Sequence, residues 1–140
     1  MATTTAAVTL TSDLLSDNMS VSASTTCMKA GTTGDGLDQM DFGYIEIPTG
    51  DQYDLFDAND SGLNTSKANK VYIANESTDE TYYVTIMIDA QNIGRLYAGD
   101  WMFIPWGSLD QHDDIEITSS TGTNKITYAL FHEGRTLTAS

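Results

Sequence analysis

The chain has little cysteine: Cys27 is the only one among 140 residues. An intrachain disulfide is therefore excluded, and so is a metal site built from several thiolates. Basic residues are scarce as well, six Lys and Arg against twenty Asp and Glu, for a net charge of −14. Binding nucleic acid through its phosphates needs clustered cations, so that class is excluded, as is docking on an anionic membrane surface. Long apolar runs are missing. No stretch approaches the roughly 20 apolar residues of a membrane helix. The opening MATTTAAVTLTSD has neither the basic flank nor the apolar run of a signal peptide, which predicts a chain made without one.

What is present suits one domain of sheets. The length is that of a single ordinary domain, enough to bury one core. Leu, Ile, Val and Phe make up only 28 residues, near the edge where a highly charged chain stops folding alone. Seven Tyr, two Trp and six Met add burial. The shortfall is uneven. Residues 1–66 hold ten acids and one base, Lys29, whereas residues 67–140 hold ten acids, five bases and both tryptophans. This predicts a self-sufficient C-terminal core and an N-terminal half that orders on a partner or another copy. Twenty Thr favour pleated surfaces. Fifteen Asp against five Glu disfavour helices. Four N-x-S triplets, at Asn18, Asn59, Asn64 and Asn75, read as chance in a Ser-rich chain.

The dominant pattern has a period of two. Val8 and Leu10 alternate with Thr9 and Thr11. From 18 to 29, Met19, Val21, Ala23 and Cys27 share one parity, which predicts a strand with Cys27 as an inert, inward hydrophobe. Further strands are predicted over 42–47, 70–74, 81–89, 93–97, 101–104, 114–118 and 125–132, with turns at 75–80, 90–92, 98–100 and 119–124. Residues 49–66 read as an acidic loop, and 13–17 as a brief helix at most. Eight or nine short strands with turns every eight to twelve residues predict an all-β fold, an antiparallel β-sandwich or jelly roll.

Chemistry-bearing motifs are sparse. In the acidic loop, Asp57, Asn59, Ser61 and Gly62 match the first half of a calcium-binding loop. Position twelve is Ala68, where a bidentate Glu is needed, so a solvated turn is the favoured reading over a weak cation site. His112-Asp113-Asp114 and His132-Glu133 offer imidazoles and carboxylates for a metal. The two histidines are 20 residues apart and lack the one-residue spacing of the metal-binding strand in cupin-type jelly rolls, so no metal and no cofactor is expected. No G-x-S-x-G elbow and no Gly-rich phosphate loop occurs, and nothing selects a catalytic pair of carboxylates. The expectation is a protein that is not an enzyme. The densest signal is Tyr97-Ala-Gly-Asp-Trp101-Met-Phe103-Ile-Pro105-Trp106. Trp101 and Phe103 share one parity; Met102, Ile104 and Trp106 share the other. Such a strand is either central to a sandwich or presents one face to another chain.

The stretches KVYIANESTDETYYVTI, IGRLYAGDWMFIPW and DDIEITSSTGTNKITYALF together resemble, in layout, small virion accessory proteins of tailed bacteriophages. The resemblance spans residues 70–132. It implies a β-sandwich that decorates or cements the outside of the capsid, often as a homotrimer, with the major capsid protein as partner and the virion exterior as location. On this reading residues 1–30 form an extended N-terminal arm or added strand and residues 31–140 the sandwich domain. The arm residues Val8, Leu10, Met19 and Val21, with Trp101, Phe103 and Trp106 of the module, are the expected interface. An acidic module is repelled by packaged DNA, which favours the outer surface. An alternating arm can add to an exposed sheet edge. Two rival expectations stand beside it: a tail-fibre or baseplate module that contacts host glycans through surface Trp and Tyr, and a small hydrolase or metal enzyme using His112 and His132.

Overall fold

A computed structural model describes residues 4–12, 19–27, 37, 39–56, 69–106 and 114–132. These hold ten strands and no helix: β1 Thr4–Ser12, β2 Met19–Cys27, β3 Gln39–Ile47, β4 Gln52–Phe56, β5 Lys70–Asn75, β6 Tyr83–Ile88, β7 Gln91–Tyr97, β8 Trp101–Pro105, β9 Ile115–Thr121 and β10 Asn124–His132. The expected helix over 13–17 lies outside the described residues.

The last eight strands form two antiparallel sheets, ordered β3-β10-β5-β8 and β4-β9-β6-β7. The pairing is nested. The hairpin β6–β7 is innermost, followed by β5–β8, β4–β9 and β3–β10. One long antiparallel ribbon of four strand pairs has been folded so that successive pairs alternate between sheets. The lateral pairs β5–β10 and β6–β9 then close each sheet. This is the jelly-roll form of the β-sandwich. Among the described residues, the strands β1 and β2 pair only with each other, in register from Thr4↔Cys27 to Ser12↔Met19, as a separate two-stranded sheet.

Alternation along the strands builds the core. Val71 and Ile73 of β5, Ile126 and Leu130 of β10, and Ile47 of β3 meet Val84 and Ile86 of β6, Ile115 and Ile117 of β9, Leu96 of β7 and Phe56 of β4. Each Leu, Ile or Phe side chain so buried stabilises the fold by about 1.5–3 kcal/mol relative to exposure. Trp106 closes one end, 3% exposed and tilted against Phe56 at 5.9 Å, with Tyr128 edge-on to Phe56 at 5.7 Å. Tyr128 lies over Gly43, its register partner on β3, where a Cβ would come within 2.5 Å of the phenol oxygen. Cys27 is buried, and its carbonyl accepts a 2.7 Å hydrogen bond from the Leu37 amide.

The other end of the core is polar and fully paired. Asn75 and Asn124, on adjacent strands of one sheet, both point inward and are buried. The Asn75 Nδ2 donates to the Leu96 carbonyl and to Asn124 Oδ1, both at 3.0 Å. The Asn124 Nδ2 donates to Ser119 Oγ at 2.8 Å and to the Tyr83 carbonyl at 3.2 Å. Ser119 Oγ donates to the Gly122 carbonyl at 2.8 Å. Leu96, Tyr83 and Ser119 belong to the opposite sheet, so two amides tie the layers together. An orphaned amide here would carry a desolvation penalty; a satisfied one fixes how the sheets align. The buried Asn75 is committed to this network, which agrees with its N-x-S triplet being chance.

Two expectations change. Residues 49–66 were expected to be a loop, yet Gln52–Phe56 is strand β4, paired with β9 and bulged between Asp54 and Phe56. The acids hid a strand whose inward residues are Tyr53 and Phe56. The turn expected at 90–92 is centred on Asp89-Ala90, and Gln91 already belongs to β7.

Candidate interaction surface

The outer face of the sheet β3-β10-β5-β8 is aromatic. Strand alternation places Tyr72 and Ala74 of β5 outward, between the core residues Val71, Ile73 and Asn75. Register then carries the same face across its neighbours. Trp101 stands opposite Ala74, and Phe103 opposite Tyr72. Ala129 lies between Tyr72 and Phe42, Thr127 between Ala74 and Tyr44, and Phe131 between Lys70 and Met40. Small buried residues, Ala74 and Ala129, sit among large rings. The rings pack on one another: Tyr72 with Trp101 at 6.4 Å, Phe103 with Phe131 at 6.2 Å, and Phe42 edge-on to Tyr44 at 5.1 Å.

Part of this face is covered. Thr5, Ala6, Ala7 and Val8 of β1 face Tyr72, Trp101, Phe103 and Phe131 across a cleft of about 310 Å³. Part is open. Met40, Phe42 and Tyr44 on β3 are 56%, 53% and 75% exposed, and Trp101 is 49% exposed. A shallower groove of about 540 Å³ runs beside Tyr44, bordered by Glu46, Glu76, Lys125 and Thr127. Contiguous exposed rings of this kind mark interaction surfaces.

The opposite outer face, on β4-β9-β6-β7, is charged. Glu116 stands opposite Asp54 and accepts a 2.7 Å hydrogen bond from Gln52 Nε2. Partial burial, and then the charges of Asp54, Asp114 and Asp89, push the Glu116 carboxyl above its ordinary range. Farther along, the Arg95 guanidinium lies 4.4 Å above the Tyr83 ring and donates to the Tyr97 hydroxyl at 3.2 Å. The hydrogen bond, followed by the two tyrosines' electrostatic influence, raises the Arg95 pKa further.

The sequence-derived interface residues separate. Trp101 and Phe103 share the aromatic face, and Val8 borders its cleft. Leu10 is exposed on β1. Met19 and Val21 lie on β2, in register with Ser12 and Leu10. Trp106 does not share their surface and belongs to the core. The β8 strand is an edge strand, Met102 and Ile104 inward and Trp101 and Phe103 outward. Met40, Phe42 and Tyr44 escaped the sequence reading. Their signal was present: from Met40 to Ile47 both parities carry large apolar side chains, the same double pattern that singled out 101–106.

Asp57, Asn59, Ser61, His112, Asp113 and Glu133 lie outside the described residues. His132 ends β10 on its inward parity, buried, with Nε2 3.4 Å from Asp41 Oδ2. Among the described residues no cluster of three or more His, Cys, Asp or Glu side chains could hold a metal ion. No protein-family model matches the chain, and no curated protein matches it at a significant level.

Proposed function

We propose that the chain is a non-enzymatic virion structural protein, a decoration or cement protein on the outside of a tailed-phage head that stabilises neighbouring capsid subunits. The observation that carries this reading is the contrast between the faces of the sandwich. One is ringed with half-exposed aromatics and holds few charges; the other concentrates Asp54, Asp89, Asp114 and Glu116. A cement protein needs an adhesive side toward the shell and a soluble side toward water. Aromatic and Met side chains supply contact energy at interface centres, while acids are best left at rims and solvent-facing surfaces. The overall acidity keeps such a module off packaged DNA.

Virions assembled with and without this chain test the reading. The expected result is head-surface density at symmetry-related positions that vanishes with the gene, together with earlier rupture of the heads on heating. Density on the tail, or none, would overturn it. Removing residues 1–17 is expected to lower occupancy on the particle.

A further inference from the structure

We infer that the open strip on β3 is the docking site for the β1–β2 hairpin of a second copy of this chain. The inference rests on the assembly reading above and names the partner of that surface. Three observations select the occupant. First, β3 is the edge strand of its sheet, and the two-stranded β1–β2 sheet has a free edge on each side, among the described residues. The strands match in length at nine residues each, so an added strand can bond along all of β3. A long exposed edge bearing Met40, Phe42 and Tyr44 is a ready template for pairing with another strand.

Second, charge leaves few alternatives. Two copies each carrying −14 repel. The 18 residues of β1 and β2 hold no charged side chain. Of the acids on β3, Glu46 stands opposite Lys125, and the Asp41 carboxylate lies 3.4 Å from the His132 ring. Hairpin on β3 therefore joins two copies with the least contact between acids.

Third, the hairpin meets its own sheet along Thr5, Ala6, Ala7 and Val8, and the rest of a two-stranded sheet gains from a further surface. The hairpin leaves Leu10 half-exposed, an apolar side chain able to meet the Met40, Phe42 and Tyr44 strip of another copy. A contact between two different patches is head-to-tail and closes into a ring when the rotation allows.

Sedimentation velocity of the full chain, without any shell, tests this. Discrete oligomers are expected. Tyr44→Glu on the strip and Leu10→Glu on the hairpin should each weaken association by about tenfold or more. Both sites are exposed, and an unchanged thermal midpoint checks that each variant folds. Mixing the two variants is the decisive arm: each supplies the half the other lacks, so one intact contact re-forms and heterodimers appear. Association lost in Tyr44→Glu but untouched in Leu10→Glu would mean a strip-to-strip contact and overturn the hairpin assignment. A wild-type chain that stays monomeric across the micromolar range would overturn the docking site itself. Oligomers that form normally yet leave the head undecorated would sink the cement reading and spare this one.

Discussion

Asp89 and Ala90 both hold positive φ, 52° and 58°, in the two-residue turn joining β6 to β7. That geometry is a type I′ turn, whose right-handed twist suits a hairpin and whose usual occupants are Asn and Gly. An alanine there carries a penalty of about 1 kcal/mol from its Cβ. Ala90→Gly removes it and loses part of the gain to a freer unfolded chain, so a net stabilisation of about 0.5 kcal/mol is expected in urea titrations. Gly122 is the converse case. It has φ of 68°, and a Cβ would come within 2.2 Å of the Tyr82 ring. Gly122→Ala is expected to destabilise by about 2 kcal/mol or more through strain and overpacking together. In the inter-sheet network, Asn124→Leu keeps the branched shape of the side chain and strips the amide. It would take one hydrogen bond each from Ser119, the Tyr83 carbonyl and Asn75, with a loss of about 3 kcal/mol expected. A Leu at 124 that proved neutral in the same titration would mean the amides contribute nothing to how the sheets align.

At the scale of elements, legibility tracked how cleanly burial alternates. The strands β5, β6, β9 and β10 were readable because Val71/Ile73, Val84/Ile86, Ile115/Ile117 and Ile126/Leu130 each occupy one parity with polar or aromatic residues between. The β4 strand was not, since its bulge interrupts the period and its outward Asp54 looks like loop. The aromatic face was half legible. Trp101 and Phe103 were found from their crowding, but the β3 strip depends on which strands become neighbours across β10, a long-range pairing that local pattern does not encode. Strand β9 carries its own pH dependence. The Glu116 carboxyl binds its proton more tightly in the folded chain than in the unfolded one. Between the ordinary Glu value of 4.5 and the higher folded value the native state holds more protons, so stability falls as pH rises through that window. Glu116→Gln is expected to raise the thermal midpoint modestly at pH 7 and to leave it unchanged near pH 4. A variant less stable than the parent at pH 7 would mean that the hydrogen bond from Gln52 outweighs the repulsion from Asp54, Asp89 and Asp114.

For the whole molecule, the governing fact is that acids and exposed aromatic rings occupy different surfaces. Acids gather on the face of β4-β9-β6-β7, while the rings of the other face stand with few charges between them. A copy at docking distance still feels the net charge of its neighbour, through solvent and over the width of the domain. That repulsion is long-ranged at low ionic strength, where the screening length is about 30 Å at 0.01 M, and short at 0.15 M, where it is about 8 Å. The apolar contact itself is nearly indifferent to salt in this range and strengthens with excluded salts such as sulfate. Self-association is therefore expected to tighten as sodium chloride rises from 0.01 to 0.15 M, mostly through faster encounter, and to tighten again in sulfate. Sedimentation at a series of salt concentrations measures this directly. A contact built from complementary charges, for instance the acidic face of one copy on Lys70 and Lys125 of another, has the opposite slope. Dissociation on adding salt would therefore place the interface on charged groups rather than on Met40, Phe42, Tyr44 and the uncharged hairpin.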